Sequence, residues 1–135
     1  MSVTTKVKDF LLGKTFYVAT VEGDAPKVRP FGLVFEFEGK LYFSTNESKP
    51  SYAQLKANPK VEISATDAEN NWIRVSGEAV FDQRDVIKEE IFKVSPHLKD
   101  LYGQPDSPIL APFYIANGNV TWASLAAPAT EEVLS

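Results

Sequence analysis

The sequence contains no cysteine and a single histidine, His97. Disulfides, thiolate nucleophiles, cysteine-based zinc or iron–sulfur sites and multi-histidine metal sites are therefore excluded. No apolar run approaches the roughly 20 residues that a membrane-spanning helix needs. The first residues, MSVTTKVKDFLLGK, lack the apolar region of a signal peptide. We therefore expect a cytoplasmic protein.

Positive charge is also scarce, because 18 acidic residues outnumber 14 basic ones and give a formal net charge of −4. This balance argues against a general nucleic-acid or membrane-surface binder, although it is compatible with a local basic pocket. Hydrophobic residues make up 44% of the 135 residues and charged residues 24%, ordinary values for a globular protein. The length suits one domain that buries its core without covalent staples.

Strand patterns dominate the chain. Runs rich in β-branched and aromatic residues, separated by turn residues, cover 15–21, 27–37, 40–45, 60–66 and 72–82. Glu38-Gly39 predicts a tight turn that pairs 27–37 with 40–45, and NGN at 117–119 predicts a second hairpin between FYIA and VTWASL. Hairpins outnumber βαβ units, so we predict a mainly β, antiparallel fold of six or seven strands closed as a barrel.

Two or three short helices accompany the strands. The pattern predicts one ending at Gly13, one over 50–57 and an amphipathic one over 83–94. Residues 95–112 contain four prolines and are predicted to be irregular, either as a lid over the site or as a crossover, with the stiffness of proline favouring the crossover.

Arg29 is the first candidate site residue. On a strand of period two it shares a face with Phe31 and Phe35, and that face points inward. An unpaired guanidinium there would be very costly. Arg29 therefore either reaches an anion at the rim of the barrel or pairs with a protein carboxylate.

The segment FSTNESKPSYAQL, residues 43–55, joins a predicted strand to a predicted helix through polar residues. Unpaired N–H groups and partial positive charge at a helix N-terminus favour phosphate. Hydroxyls of Thr45, Ser48 and Ser51 and the charge of Lys49 make this junction a candidate phosphate site. The alternative is that Ser48 only caps the helix and Lys49 is a solvated charge.

Trp72 and Arg74 form a third candidate group. The core-facing side of their strand is an alternating apolar set: Ile73, Val75, Ala79 and Phe81. Trp72 and Arg74 therefore face the other way, where we expect a second subunit or a planar group to cover them. Trp122 fits a core position and an interface position equally well.

Three segments in this order, RPFG (29–32), YFSTNESK with QLKANPKVEI (42–63) and WIRVSGEA (72–79), resemble the pyridoxamine 5′-phosphate oxidase-like family of FMN-binding split barrels, in particular its small general flavin-binding members. The resemblance covers about residues 8–125. It implies a six-stranded antiparallel split β-barrel of Greek-key topology with two or three short helices. It also implies a homodimer with FMN between the subunits. We accordingly predict an FMN-binding domain over 1–125 and a flexible tail over 126–135.

The resemblance also implies which residues hold FMN. Lys49 and Ser51 would bind its phosphate at the helix start, Arg29 would contact flavin and phosphate, and Trp72 and Arg74 would reach the flavin from the partner subunit. The full set of predicted cofactor-binding residues is Arg29, Pro30, Phe31, Ser44, Thr45, Asn46, Lys49, Ser51, Gln54, Trp72, Arg74 and Trp122. No catalytic or metal-binding residue is predicted.

Two departures bear on the activity. Pro50-Ser51 stands where pyridoxamine phosphate oxidases have an Arg-Lys pair, and the C-terminus lacks their substrate-binding Arg and His. We therefore expect, instead of that reaction, an oxidoreductase that passes hydride or electrons from a reductant such as NAD(P)H to a small planar acceptor. The alternatives are a non-enzymatic flavin-binding redox carrier, a barrel that binds a deazaflavin or another anion, and a barrel that binds single-stranded nucleic acid.

Overall fold

The computed structural model describes residues 1–103 and 107–134. Within them it contains four helices and eight strands: α1 (Val3–Leu11), β1 (Phe16–Glu22), β2 (Ala25–Phe31), β3 (Phe35–Phe37), β4 (Lys40–Asn46), α2 (Pro50–Ala57), β5 (Lys60–Thr66), β6 (Trp72–Phe81), α3 (Asp85–Val94), α4 (His97–Tyr102), β7 (Leu110–Ala123) and β8 (Thr130–Leu134). The strands form one antiparallel sheet in the order β2-β1-β5-β6-β7-β4-β3, and β8 pairs with β7. The prediction of a mainly β, antiparallel fold is confirmed.

The sheet curls around its core without closing into a barrel. Within the described residues no ladder joins the terminal strands β2 and β3. Aromatic side chains instead bridge distant strands: Phe31 of β2 meets Phe113 of β7 with ring centroids 6.4 Å apart, and Phe16 of β1 meets Phe43 of β4 at 5.5 Å. The predicted six-stranded barrel is therefore corrected to an unclosed sheet of eight strands.

The predicted strand 27–37 is in fact two strands with different neighbours. β2 forms a hairpin with β1, whereas β3 pairs with β4 around Glu38-Gly39. Both residues of that turn have positive φ, 52° and 76°, as a two-residue type I′ turn requires, so the hairpin is confirmed there. The pairing of the earlier part of 27–37 with 40–45 is wrong, because the chain leaves the sheet after Phe31 and re-enters it at Phe35.

The NGN segment is a bulge rather than a hairpin turn, so that prediction is wrong. β7 runs unbroken and pairs with β6, and the register shifts between Ser76 and Glu78. The shift places Asn117, with φ 53°, and Gly118 opposite Gly77. A Cβ on Gly77 would lie 2.5 Å from Ile115 Cγ2, so the bulge depends on the missing side chain.

The helices predicted at 50–57 and within 83–94 are confirmed as α2 and α3, and α3 buries Ile87 and Ile91. The number of helices is corrected to four among the described residues, because α4 forms directly after Pro96 in the segment predicted to be irregular. Residues 104–106 of that segment lie outside the described residues. None of the described helices is long and apolar enough to cross a membrane.

The C-terminal segment differs from the flexible tail predicted over 126–135. Residues Thr130–Leu134 form β8, which pairs with the second half of β7, and the side chain of Leu134 is buried. Glu132 of β8 also accepts a hydrogen bond from the Lys6 ammonium at 2.7 Å. Strand pairing therefore covers an edge of β7 that would otherwise be open. Ser135 lies outside the described residues.

Candidate functional site

A pocket of about 270 Å³ lies where the ends of β2 and β4 meet the start of α2. We call it the Arg29–Lys49 pocket. Its lining residues are Arg29, Pro30, Phe31, Gly32, Leu33, Ser44, Thr45, Asn46, Lys49, Ser51, Leu98, Tyr102 and Leu110. Eight of the twelve residues predicted from the sequence are therefore gathered here: Arg29, Pro30, Phe31, Ser44, Thr45, Asn46, Lys49 and Ser51.

Arg29 is half-buried and held by neutral oxygen atoms. Its Nη1 donates to Val18 O at 3.1 Å and to Thr20 Oγ1 at 2.8 Å, and its Nη2 donates to Gln54 Oε1 at 2.7 Å. Burial lowers the pKa of Arg29, but a guanidinium stays protonated at neutral pH. The carboxylate partner considered for Arg29 is not found among the described residues, so its charge is oriented but not neutralised.

The start of α2 supplies hydroxyl groups and a second positive charge. The hydroxyls of Thr45 and Ser51, both buried, lie 2.6 Å apart and share one hydrogen bond. Lys49 is the N-cap residue, and no side chain caps the first turn. Its ammonium forms no ion pair within residues 1–103 and 107–134. In the first turn of α2, Pro50 has no N–H and the Tyr52 N–H donates to Lys49 O at 3.1 Å, so the turn presents at most the Ser51 N–H, together with a lysine, beside the pocket.

Ser48 does not cap the helix, so the alternative that made it a cap is wrong. Its backbone N–H and its hydroxyl both donate to Asn46 Oδ1, at 3.0 Å and 2.6 Å. This turn fixes Asn46 at the end of β4 and carries the chain from the sheet into α2.

Gln54 lies behind the pocket and supports it. Its Oε1 accepts hydrogen bonds from Arg29 and, at 2.6 Å, from the Thr20 hydroxyl, while its Nε2 donates to Glu22 Oε2 at 3.2 Å. A buried amide in this position holds the Arg29 side chain in place. Gln54 therefore belongs to the site as a positioning residue and not as part of the lining.

Trp72, Arg74 and Trp122 do not line the Arg29–Lys49 pocket of their own chain. The apolar set of β6 faces the core as predicted, and Trp72 is half-buried with the Arg74 guanidinium 5.2 Å from its ring. Trp72 and Trp122 line a separate cleft of about 400 Å³ beside Phe10. In that region the buried Trp122 Nε1 has no hydrogen-bond partner among the described residues.

Among the described residues, four other concavities are larger than the Arg29–Lys49 pocket, and the two largest measure about 510 Å³ and about 560 Å³. The first lies over the bulge around Gly77 and the second beside the Glu38-Gly39 turn. The Arg29–Lys49 pocket is the better candidate site, because among the described residues it is the one where a half-buried guanidinium, an exposed lysine, hydroxyl groups and a helix start lie together.

In a comparison against known families, the profile described as pyridoxamine 5′-phosphate oxidase matches residues 3–125. This chain belongs to the pyridoxamine 5′-phosphate oxidase family. No curated protein sequence matches it significantly.

Several solved structures are similar to this chain. A NimC/NimA family protein from Clostridium acetobutylicum is 40% identical, with 97% of this chain and 92% of that chain covered and a TM-score of 0.89. A protein related to general stress protein 26, from the same organism, shares the fold at 17% identity, with 97% and 94% covered and a TM-score of 0.73. An FAD-binding protein from Mesorhizobium loti does so at 14% identity, with 92% and 96% covered and a TM-score of 0.60.

Within this member of the pyridoxamine 5′-phosphate oxidase family, sequence reasoning missed the pocket residues of α4. Leu98 and Tyr102 are four residues apart, so they share a helix face, and both line the pocket. The Tyr102 hydroxyl accepts a hydrogen bond from Asn46 Nδ2 at 2.8 Å. The i, i+4 spacing of these two residues in HLKDLY could have indicated a helix face. The prolines around it led instead to the prediction of irregular structure.

Proposed function

We propose that the Arg29–Lys49 pocket binds the phosphate end of FMN and that the protein is an FMN-dependent oxidoreductase. The observation that carries this proposal is the convergence of two cationic side chains, neither ion-paired within the described residues, on the uncapped start of α2. Charge-assisted hydrogen bonds to phosphate are roughly twice as strong as neutral ones, and helix starts favour the same ligand.

The donor set fits a phosphomonoester. Arg29 is already held by three neutral acceptors and keeps its positive charge for a ligand. Thr45 and Ser51 share a single hydrogen bond, so a hydroxyl hydrogen remains available to an incoming oxygen. Membership of the family and the FAD-binding structural relative support a flavin as the phosphate-bearing molecule.

The size of the pocket favours a site shared between two chains. Pockets that enclose a drug-sized ligand usually measure about 300–1,000 Å³, and about 270 Å³ suits only part of FMN. We propose that the flavin ring extends beyond the pocket and is covered by Trp72, Arg74 and Trp122 of a second copy of this chain.

Each part of the pocket has its own task in this proposal. A flavin, when bound, accepts hydride from a reductant such as NAD(P)H and passes hydride or electrons to a small planar acceptor. Arg29 and Lys49 anchor the negative end, and Gln54 keeps Arg29 in position. Phe31, Leu33 and Leu110 form an apolar side that keeps water from the bound molecule.

Anaerobic mixing of the FMN-loaded protein with NADH and NADPH tests the oxidoreductase proposal. We expect bleaching of the visible flavin absorbance and its return when a quinone or nitroaromatic acceptor is added. Reduction no faster than that of free FMN would contradict the enzymatic proposal and leave the binding proposal intact.

A second candidate is a non-enzymatic flavin-binding redox carrier. One observation favours it: no carboxylate or imidazole lines the Arg29–Lys49 pocket among the described residues. A carrier needs no acid–base group, whereas many acceptors require a proton with each electron pair. The same mixing experiment separates the two, because a carrier would hold FMN without multiple turnovers.

A further inference from the structure

Tyr102 places a hydroxyl in the pocket that no part of the proposed flavin site uses. It is the last residue of α4, and its ring packs on a hydrophobic cluster that includes Ile87, Ile91 and Leu110. Leu98 packs on the same cluster one turn earlier. These contacts pack α4 against α3 and against Leu110 of β7, and they hold the phenol beside the pocket.

The Tyr102 hydroxyl has a hydrogen to donate toward the pocket. Asn46 Oδ1 accepts from both the backbone N–H and the hydroxyl of Ser48, which turns the Asn46 NH₂ group toward Tyr102. The phenol oxygen therefore accepts in its 2.8 Å contact with Asn46 and keeps its own hydrogen. No acceptor for that hydrogen lies among the described residues.

This donor lies at the cationic end of the pocket. Asn46 follows Thr45, whose hydroxyl meets Ser51, and the Asn46 carbonyl accepts the Lys49 backbone N–H at 3.1 Å. The ring of Tyr102 packs on the apolar cluster, while its hydroxyl is tied through Asn46 to the turn that carries the hydroxyl groups and Lys49.

We infer that Tyr102 is a ligand-binding residue whose hydroxyl donates a hydrogen bond to a phosphate oxygen of the bound molecule. The inference rests on the proposed function for the identity of that molecule as FMN. It adds α4 to the phosphate site and predicts selection for the phosphorylated flavin over riboflavin through this contact.

The test compares the whole protein with Tyr102→Phe and with a matched control, Tyr114→Phe. Tyr114 packs in the same hydrophobic cluster and against Tyr42, with ring centroids 5.6 Å apart, but does not line the pocket. FMN and riboflavin are titrated by flavin fluorescence, and folding is checked by circular dichroism. For Tyr102→Phe we expect about a 10-fold weaker affinity for FMN and a change within about 2-fold for riboflavin. Tyr114→Phe should change neither.

Unchanged FMN affinity in Tyr102→Phe would overturn the inference. Equal losses for FMN and riboflavin would also overturn it, because they would indicate a structural role for Tyr102. If the wild-type protein binds no FMN, the proposed function fails separately from the inference about Tyr102. The role of Tyr102 is then tested by thermal stabilisation with inorganic phosphate. The inference is supported if inorganic phosphate stabilises the wild type but not Tyr102→Phe. It is overturned if phosphate stabilises both proteins equally or stabilises neither.

Discussion

Arg29 and Lys49 supply positive charge to one pocket of an acidic chain, and they do so in different ways. Arg29 is fixed by Val18, Thr20 and Gln54 on the inner side of the β1–β2 hairpin. The Lys49 side chain makes no capping hydrogen bond or ion pair among the described residues, so its ammonium is free to meet an anion. The rigid guanidinium sets the geometry of the site, and the lysine adds charge where a ligand arrives.

Lys49→Ala tests this division directly. Because a hydrogen bond to a charged group is worth about 1.5–3 kcal/mol, we expect FMN to bind about 10-fold more weakly or worse, while riboflavin affinity stays the same. Lys56→Ala is the matched control, since Lys56 is an exposed residue at the other end of α2 and does not line the pocket. Unchanged FMN affinity in Lys49→Ala, measured by titration, would remove Lys49 from the site.

Single residues show how far sequence reasoning reached. The inward position of Arg29 and the polar junction from Thr45 to Ser51 were visible, because strand periodicity and helix-start chemistry are local properties. The role of Gln54 behind Arg29 was not, because it depends on packing between α2 and β1. Tyr102 was missed for the same reason: its hydroxyl meets Asn46 from 56 positions along the chain.

The strands and helices impose two constraints on the fold, and the bulge in β7 is the first. Gly77→Ala would place a methyl group 2.5 Å from Ile115 Cγ2 and 2.8 Å from Ala116 O. We expect this variant to lose about 1–3 kcal/mol of unfolding free energy, measured by urea denaturation. Gly32→Ala is the control, since its added Cβ would meet nothing within 4 Å. Equal stability of the two variants would contradict the close packing at Gly77.

A charged cluster that joins β3, β4, β6 and α3 is the second constraint. Asp82 accepts hydrogen bonds from the Tyr42 hydroxyl at 2.7 Å and from Arg84, whose Nη2 also donates to Glu38 at 2.6 Å. Arg84 and Tyr42 lower the pKa of Asp82 to about 2 against the opposing effect of burial. Burial, followed by the contact with Asp82, raises the pKa of Tyr42 to about 12.

The lowered pKa of Asp82 predicts an acid-sensitive contribution to stability. The carboxylate stabilises the fold above the ordinary pKa of 3.8, and the contribution is lost as pH falls from there toward about 2. At pH 7 we expect Asp82→Asn to lower the unfolding free energy by on the order of 2 kcal/mol. Urea denaturation should show that deficit shrinking below pH 4 (roughly, by the same linkage).

Asp24→Asn, an exposed substitution in the β1–β2 turn, serves as the control for the loss of one charge. A deficit in Asp82→Asn that is the same at neutral and acidic pH would show that the ionised form of Asp82 does not stabilise the fold.

Turn residues in the sequence predicted one hairpin correctly and a second hairpin wrongly. Glu38-Gly39 adopted the hairpin that its sequence favours, because its two residues take positive φ between short strands. NGN also favours positive φ, but β7 pairs with β6 along its length and does not turn back. The residue with positive φ lies in a β-bulge instead. The break after Phe31 was hidden because apolar residues continue on both sides of it.

For the molecule as a whole, the separation of Trp72 from the Arg29–Lys49 pocket predicts that two chains build one site. Sedimentation equilibrium should show a dimer at micromolar concentration. Lys49→Ala and Trp72→Ala should each bind FMN weakly, whereas subunits of the two variants mixed and allowed to exchange should regain up to about a quarter of the wild-type sites. A monomer, or a mixture no better than its components, would contradict a site shared between chains.

The visible absorption spectrum of the purified protein, recorded before and after addition of FMN and desalting, is the decisive test of the proposed flavin site. We expect a retained flavin spectrum with one FMN per chain, held by the phosphate contacts at Arg29 and the start of α2. A protein that stays colourless after exposure to FMN would contradict the flavin site and would assign the Arg29–Lys49 pocket to a different anion.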